Sequence, residues 1–219
     1  MVSETPPSVR LRARLLEALL PIAAEKGWSP VALREAAEAA GLEEGELLLA
    51  APRGPLDMID AFAEWADDQM AERLEAMDLL RLKVRERVRA AVLARIEAVR
   101  PWKAAVMKAV QGMARPFRAG EGVGFVWRTA DRIWRILGDR STDENYYTKR
   151  AILSGVLAST AARWFTDDTD DLGPTREFLD RRIDNVMQFE TLKTRAGSMA
   201  RMAVAGATVA VRGFLRPRA

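Results

Sequence analysis

Ala23-Ala24-Glu25-Lys26-Gly27-Trp28-Ser29-Pro30, followed a few residues on by Ala36-Ala37-Glu38-Ala39-Ala40-Gly41-Leu42, is the stretch on which the fold turns. Before it, Leu11, Leu15, Leu19, Ile22 and Ala23 recur at helical spacing, and Gly27 ends that apolar stripe. Ser29 then offers an N-cap hydroxyl and Pro30 the preset φ of a first helical turn, so a second helix is predicted to run to Gly41. A short helix over Glu44 to Ala50 follows, Pro52-Arg53-Gly54-Pro55 breaks the chain, and a long helix is predicted from Leu56 to about Met77. The first three helices, with glycine at their turns, make a helix-turn-helix-like unit over residues 8–51.

Helical signals continue outward from this unit. Val84, Val88, Val92, Ile96 and Val99 form a stripe stopped at Pro101, while Arg81, Lys83, Arg85, Arg87 and Arg89 read as a solvated basic surface. A helix is predicted over Trp102 to Ala114. Gly120, Gly122 and Gly124 are expected to loosen the entry to another, from about Phe125 to Leu137. Ser141 and Glu144 match a capping box for a helix reaching Phe165. Asp167 to Gly173 reads as a loop, Pro174 to about Lys193 as a helix, and a last amphipathic segment starts near Arg195. No stretch alternates long enough for a strand and no repeat is visible. The expectation is an all-α chain of about ten helices, with one domain over residues 1–192 and a segment over 193–219.

The 219 residues are 49% hydrophobic and 30% charged, which suits a folded core and excludes a wholly disordered chain. More telling, there is no Cys and no His. That removes disulfides, thiolate zinc sites, Cys nucleophiles, Ser-His-Asp triads and histidine-ligated di-iron centres. Carboxylate, Lys or Tyr acid/base chemistry stays open, but no catalytic residue, cofactor or metal ligand is assigned. Asp167-Asp168-Thr169-Asp170-Asp171 fails as a calcium loop in either register, because Leu172 and then Phe178 or Leu179 fall where ligating or turn residues are needed. A solvated acidic loop is expected there. Met1 to Arg14 lacks an apolar run behind its charges, so no signal peptide is expected, and the longest uncharged stretches, Ala151 to Ala162 and Met202 to Val211, are too short to span a bilayer. A bacterial cytoplasmic location, peripheral on the inner membrane, is the expectation.

Charge is lopsided although the net is only +3. Trp28 to Asp78 carries three arginines against thirteen acids, whereas Lys193 to the end carries six cations and no acid. The first three helices resemble the N-terminal half of the TetR family on the residues quoted above, with Gly45 and the long helix after Pro55. Sequence reading by such a unit needs cations and polar groups on the third helix. Here that helix reads Glu43-Glu44-Gly45-Glu46-Leu47-Leu48-Leu49-Ala50-Ala51, whose carboxylates would repel phosphate. No nucleic-acid partner is expected, and a TetR-type ligand-responsive repressor is the alternative.

Three later stretches resemble a narrower family, the ninth protein of the coenzyme Q biosynthesis set. They are Trp127-Arg128-Thr129-Ala130-Asp131-Arg132-Ile133-Trp134, then Ser141-Thr142-Asp143-Glu144-Asn145-Tyr146-Tyr147-Thr148-Lys149-Arg150, then Phe178-Leu179-Asp180-Arg181-Arg182-Ile183-Asp184-Asn185-Val186-Met187, with Pro52-Arg53-Gly54 ahead of them. The resemblance implies a TetR-like fold without DNA binding and a non-enzymatic accessory protein. It would bind isoprenoid quinone precursors through its helices over 56–192 and present them to the demethoxyubiquinone hydroxylase at a membrane.

The residues themselves leave two readings open at each point. Asp131, between Trp127 and Trp134, reads first as the buried partner of an arginine (Arg128, Arg150 or the pair Arg181-Arg182) rather than as a catalytic acid. Ala151 to Ala162 is apolar or small on every face, so it reads as a central buried helix. The resemblance adds that it lines a lipid pocket with Trp127, Ala130, Trp134, Leu153, Val156 and Leu157. Asp143, Tyr146, Tyr147 and Arg150 share one helical stripe; capping and local pairing account for them, and the resemblance makes them the hydroxylase contact. The family has Phe and Trp where this chain has Glu144 and Tyr146. In the last segment Arg195, Met199, Arg201, Met202, Val209, Arg212 and Phe214 read as a terminal helix or as a basic anchor for an anionic membrane surface, and a second copy of the chain is a further expected partner.

Overall fold

A computed structural model describes residues 6–114 and 119–186. In chain order the α-helices are α1 (Pro7–Lys26), α2 (Pro30–Ala39), α3 (Glu44–Ala50), α4 (Pro55–Glu75), α5 (Val84–Val99), α6 (Lys103–Met113), α7 (Ala119–Ile136) and α8 (Glu144–Phe165). Short 3-10 turns lie at Leu79–Arg81 and Arg100–Trp102, residues 173–186 are helical (α9), and the described residues hold no strand. The all-α expectation is met. Nine of the expected ten helices are there, and the tenth, from near Arg195, lies outside the described residues.

The opening unit forms for the local reasons its sequence announces. Ser29 Oγ accepts the Ala32 amide at 3.1 Å, and Gly27 and Gly41 take φ of 81° and 62°, a region only glycine enters without strain. Within the unit Arg12 Nε ties α1 to α3 by donating to Ala50 O at 2.9 Å, and Trp28 Nε1 fixes the unit to the body by donating to Ala105 O on α6 at 2.9 Å. Leu15 and Leu19 of α1 are fully buried in one continuous core with Met58, Met70, Leu74, Val92, Ile133 and Leu179. Each such side chain removed from water contributes about 1.5–3 kcal/mol.

Three local expectations are corrected. First, α7 begins at Ala119 rather than near Phe125: the helix runs through Gly120, Gly122 and Gly124, and of these Gly122 serves a close approach, since a Cβ there would lie 3.2 Å from Met113 Cβ. Second, Asp143 caps α8, accepting the Asn145 amide at 3.0 Å, while Ser141 donates to Asp139. A carboxylate already fixed on the connecting loop outcompetes the backbone for that hydroxyl. Third, α8 is buried on one face only. Leu153, Val156, Thr160 and Trp164 point inward, Ala151 and Gly155 are exposed, and Ala158 and Ala162 border the open cavity described below. Side chains this small carry little apolar area, so leaving them in water costs little.

Candidate ligand cavity and aromatic surface

Helices α4 to α8 line a cavity of about 560 Å³. Phe62, Ile96, Val106, Met113, Phe125 and Leu157 are among its walls, so apolar side chains come from all five helices. Among the described residues only Arg95, Thr129 and Ser154 bring polar side chains to it. Arg95 Nε donates to Asp67 Oδ1 at 2.6 Å, and Thr129 Oγ1 donates to the same carboxylate at 3.0 and 3.1 Å. Asp67 is buried, and these two partners satisfy it. An apolar cavity of this size with few polar groups, open to solvent past Val110 and Val123, is the usual form of a small-molecule site.

The cavity coincides little with the residues the sequence put forward. Leu157 lines it. Ala130, Leu153 and Val156 are buried in the packed core instead, 0%, 2% and 5% exposed. Trp127 tilts against Tyr147 with ring centres 6.4 Å apart, and Trp134 Nε1 donates to Lys149 O at 3.1 Å with Lys149 Nζ 5.5 Å from its ring. Helix α7 is apolar on two faces, and the one bearing Val123, Val126 and Thr129 meets the void. Missed in the sequence were Arg95 and Thr129; the stripe Val92, Ile96, Val99 was visible there, as core.

Around the α7–α8 connection lies a polar latch. Asp131 accepts Arg150 Nε at 2.6 Å, Arg135 Nη2 at 2.8 Å and the Tyr146 hydroxyl at 3.1 Å. Asp139 accepts Lys149 Nζ at 2.6 Å, Ser141 Oγ at 2.7 and 2.8 Å and Arg150 Nη1 at 3.1 Å. Burial alone would raise the Asp139 carboxyl, but the bonds from Lys149, Ser141 and Arg150 outweigh it and hold that group well below the usual carboxylate range. Asp131 is lowered in the same way, its burial outweighed by Arg150, Tyr146 and Arg135. Of the open choices for its partner, Arg150 is the one found, while Arg128 pairs with Asp60 on α4.

This arrangement redistributes the stripe Asp143, Tyr146, Tyr147 and Arg150. Arg150 is only 2% exposed and spent on the latch, with its Cζ 3.5 Å from the centre of the Tyr146 ring. Asp143 is an exposed cap and Tyr146 half-buried, which leaves Tyr147, 65% exposed beside Trp127, as the displayed aromatic of the stripe.

The acid-rich parts also resolve. Asp67 pairs with Arg95, Asp60 with Arg53 and Arg128, and Asp68 with Arg132, so much of the acidity of α4 is matched by α5 and α7. By contrast Glu43 and Glu46 on the rim of α3 make a reciprocal cap with each other, and the short helix carries no cation. In the loop after α8, Asp167 departs from the solvated reading: it is 3% exposed and accepts the amides of Thr169 and Thr175 at 3.1 and 2.9 Å, together with their hydroxyls. Burial would raise it, yet the bonds from Thr169 and Thr175 hold it well below the usual range. Its loop neighbours Asp168, Asp170 and Asp171 are exposed. Arg195, Met199, Arg201, Met202, Val209, Arg212 and Phe214 lie outside the described residues.

The class so defined is an all-α protein with a helix-turn-helix head, an acidic third helix and an apolar chamber in the body. A TetR transcriptional regulator from Nitrosomonas europaea, 20% identical, superimposes with a TM-score of 0.66 over 80% of this chain and 97% of that one, which shows the TetR-like fold. Residues 119–190 match the family described as COQ9. The chain is also 28% identical over 211 residues to the mitochondrial ubiquinone biosynthesis protein COQ9 of Xenopus tropicalis, covering 90% of this chain and 64% of that protein. For the human COQ9 the figures are 25% over 185 residues, 81% and 58%, so the chain spans about three-fifths of the length of these relatives. The chain is thus similar to COQ9, most clearly over residues 119–190, and has a TetR-like fold; the three motifs over residues 127–187 carry the same resemblance. One expectation is overturned: these relatives are named as mitochondrial proteins of eukaryotes, which conflicts with the bacterial cytoplasm and its inner membrane.

Proposed function

We propose that this chain is a lipid-binding accessory protein of ubiquinone biosynthesis, without catalytic activity of its own, that holds an isoprenoid quinone precursor and presents it to the demethoxyubiquinone hydroxylase. The observation that carries the reading is the chamber of about 560 Å³ walled by apolar side chains from five helices. Its volume lies inside the roughly 300–1,000 Å³ common to small-molecule sites. Each isoprene unit buried there removes five carbons from water, worth on the order of 4 kcal/mol gross at about 0.8 per carbon, so two or three units suffice for retention. Relatives named as ubiquinone biosynthesis proteins supply the ligand class. A repressor of the same fold would need cations on α3, and Glu43, Glu44 and Glu46 supply the opposite charge.

For the hydroxylase we propose the patch of Tyr147 and Trp127. For an anionic membrane surface we propose residues 193–219, which carry six cations and no acid. Native mass spectrometry and organic extraction of the purified chain test the main reading. A co-purified isoprenoid lipid, or uptake of ubiquinone analogues, is expected; an empty protein that takes up none of them overturns it. Flotation with anionic liposomes tests the tail: deletion of Gly197 to Ala219 should abolish a binding that weakens as salt rises.

A further inference from the structure

The connection between α4 and α5 carries the most exposed large apolar side chain among the described residues. Leu80, in the 3-10 turn Leu79–Arg81, is 86% exposed, with Met77 and Val84 on either side of it at 45% and 54%. A single leucine in water needs no explanation, but three large apolar side chains on one connection form a patch. The turn that holds them up is paired from within. Arg87 donates to Leu82 O at 2.8 Å through Nε and to Leu80 O at 3.2 Å through Nη2. The Leu82 amide closes on Leu79 O at 3.1 Å and the Arg81 amide on Asp78 O at 3.3 Å. Backbone groups paired in this way can leave water without being stranded.

Cations surround the apolar tip. Met77 to Arg89 holds Arg81, Lys83, Arg85, Arg87 and Arg89 against Asp78 and Glu86. Asp78 pairs with Arg81, and Glu86 accepts the Lys83 amide. Arg85 and Arg89 reach Asp184 and Asp180 on α9, and these two pairs set the direction of that helix. Going forward along α5 goes backward along α9, so α9 ends beside the α4–α5 turn. Residues 193–219, with six cations and no acid, begin a few positions beyond that end. Two segments of the same chemistry, apolar side chains among cations, thus belong to one end of the body. An anionic lipid surface matches both segments together.

We infer that the α4–α5 turn is a second contact with an anionic bilayer, Leu80 entering among the acyl chains while Arg81 and Lys83 meet the phosphates. This rests on the membrane reading of residues 193–219 above and adds a built site on the body and an orientation. One leucine and a few cations do not hold a protein to a membrane alone, but two weak contacts on one body raise each other's local concentration. The site is separate from the cavity. Pairing of Arg128 with Asp60 and of Arg132 with Asp68 runs α7 alongside α4 in the same direction, so the open rim at Val123, early in α7, lies toward the other end. The turn anchors the chain and is not the way into the cavity.

Because the chain has no Cys, Leu80→Cys in the full chain carries a polarity-sensitive dye at that position alone. With vesicles of phosphatidylcholine and phosphatidylglycerol its emission should move to the blue. The same dye on Val31→Cys, at a position 63% exposed on α2, should not move. In flotation Leu80→Ser should weaken binding about tenfold, the low end of what one leucine removed from water is worth, at low and high salt alike. Lys83→Gln should weaken it about fivefold at low salt and not at high salt. Both side chains are exposed, so neither variant should melt lower than the parent. Vesicle binding by the parent with no shift at position 80, or equal flotation of Leu80→Ser and the parent, would overturn the turn as a contact. A blue shift that grows with protein concentration in the absence of vesicles would assign the turn to a second copy of the chain and overturn it as well. If the parent itself binds no vesicles, the membrane reading of residues 193–219 falls with it.

Discussion

Helices α7 and α8 have two working faces, and they are built on opposite principles. One faces the cavity with Val126, Leu157 and Ala161 and leaves space unfilled. The other, around Asp131, Asp139 and Arg150, is packed with charge, and nearly every donor and acceptor there has its partner. An apolar void is tolerant because nothing in it demands a partner, whereas a buried ion network stands only while complete. The helix pair can therefore be rigid at its turn and accommodating along its length. Breaking each face separately should give effects of different size and kind.

The largest effect is expected at Arg150. Replacing it by Ala takes one of three partners from each of Asp131 and Asp139, whose side chains are 16% and 5% exposed, and so removes two hydrogen bonds to charged groups, worth about 1.5–3 kcal/mol each. Denaturant unfolding of Arg150→Ala should show this as a lower midpoint at unchanged slope. A stability equal to the parent's would mean the latch does not hold the helix pair. This residue therefore belongs to the fold, and loss of partner binding in Arg150→Ala would say nothing about a contact surface.

Acid should loosen the same latch. Unfolded Asp139 takes up its proton near about pH 4 while the folded carboxylate, held below its ordinary range, stays charged. The stabilisation is thus complete above the ordinary carboxylate range and drains away as pH falls through it. Asp167 adds to the effect with the same sign. Thermal melts of Asp139→Asn should depend less steeply on pH between about 5 and 2 than those of the parent, with a difference on the order of 1–3 kcal/mol, the worth of hydrogen bonds to a charged group. Parallel curves would remove Asp139 from the account.

Between the two faces stands Tyr147, displayed beside Trp127 and 65% exposed. Tyr147→Ala should leave the melting temperature nearly where it was. A central interface aromatic is worth about 2 kcal/mol, about thirtyfold in affinity, so a pull-down of the hydroxylase should weaken by that order. Unweakened capture by the variant would remove this patch as the contact.

How much of this could be read beforehand follows from the range of each signal. The opening unit was legible because Ser29, Pro30 and Gly41 act on neighbours within a few positions. The latch was half legible: Asp131 announced an arginine partner, but choosing Arg150 needs the reversal of the chain at Gly138, whose φ is 82°. The cavity was least legible. Arg95, Asp67 and Thr129 meet across separations of 28 and 62 positions, which leave no periodic trace. Moreover, periodicity marks Trp127, Ala130 and Trp134 as apolar as strongly as Val123 and Val126, and it is silent on which face meets a neighbour and which a void.

The smallest effect should come from Leu157, and it separates a void from a core most cleanly. Leu153, one turn earlier, is 2% exposed and packed in the main cluster, so Leu153→Ala opens a new hole and should cost about 2–5 kcal/mol. Leu157 borders space that is already there, and its side chain lacks contacts on that side. Truncating it should therefore cost the unliganded protein on the order of 1 kcal/mol, the low end of what deleting core methyl groups costs. With ligand bound the order reverses: Leu157→Ala loses contacts to the lipid chain and Leu153→Ala does not. Melts of both variants, each with and without decylubiquinone, read this directly. Equal losses at 153 and 157 without ligand, together with equal ligand-induced shifts, would mean that the cavity wall is ordinary core and that the chamber closes in solution.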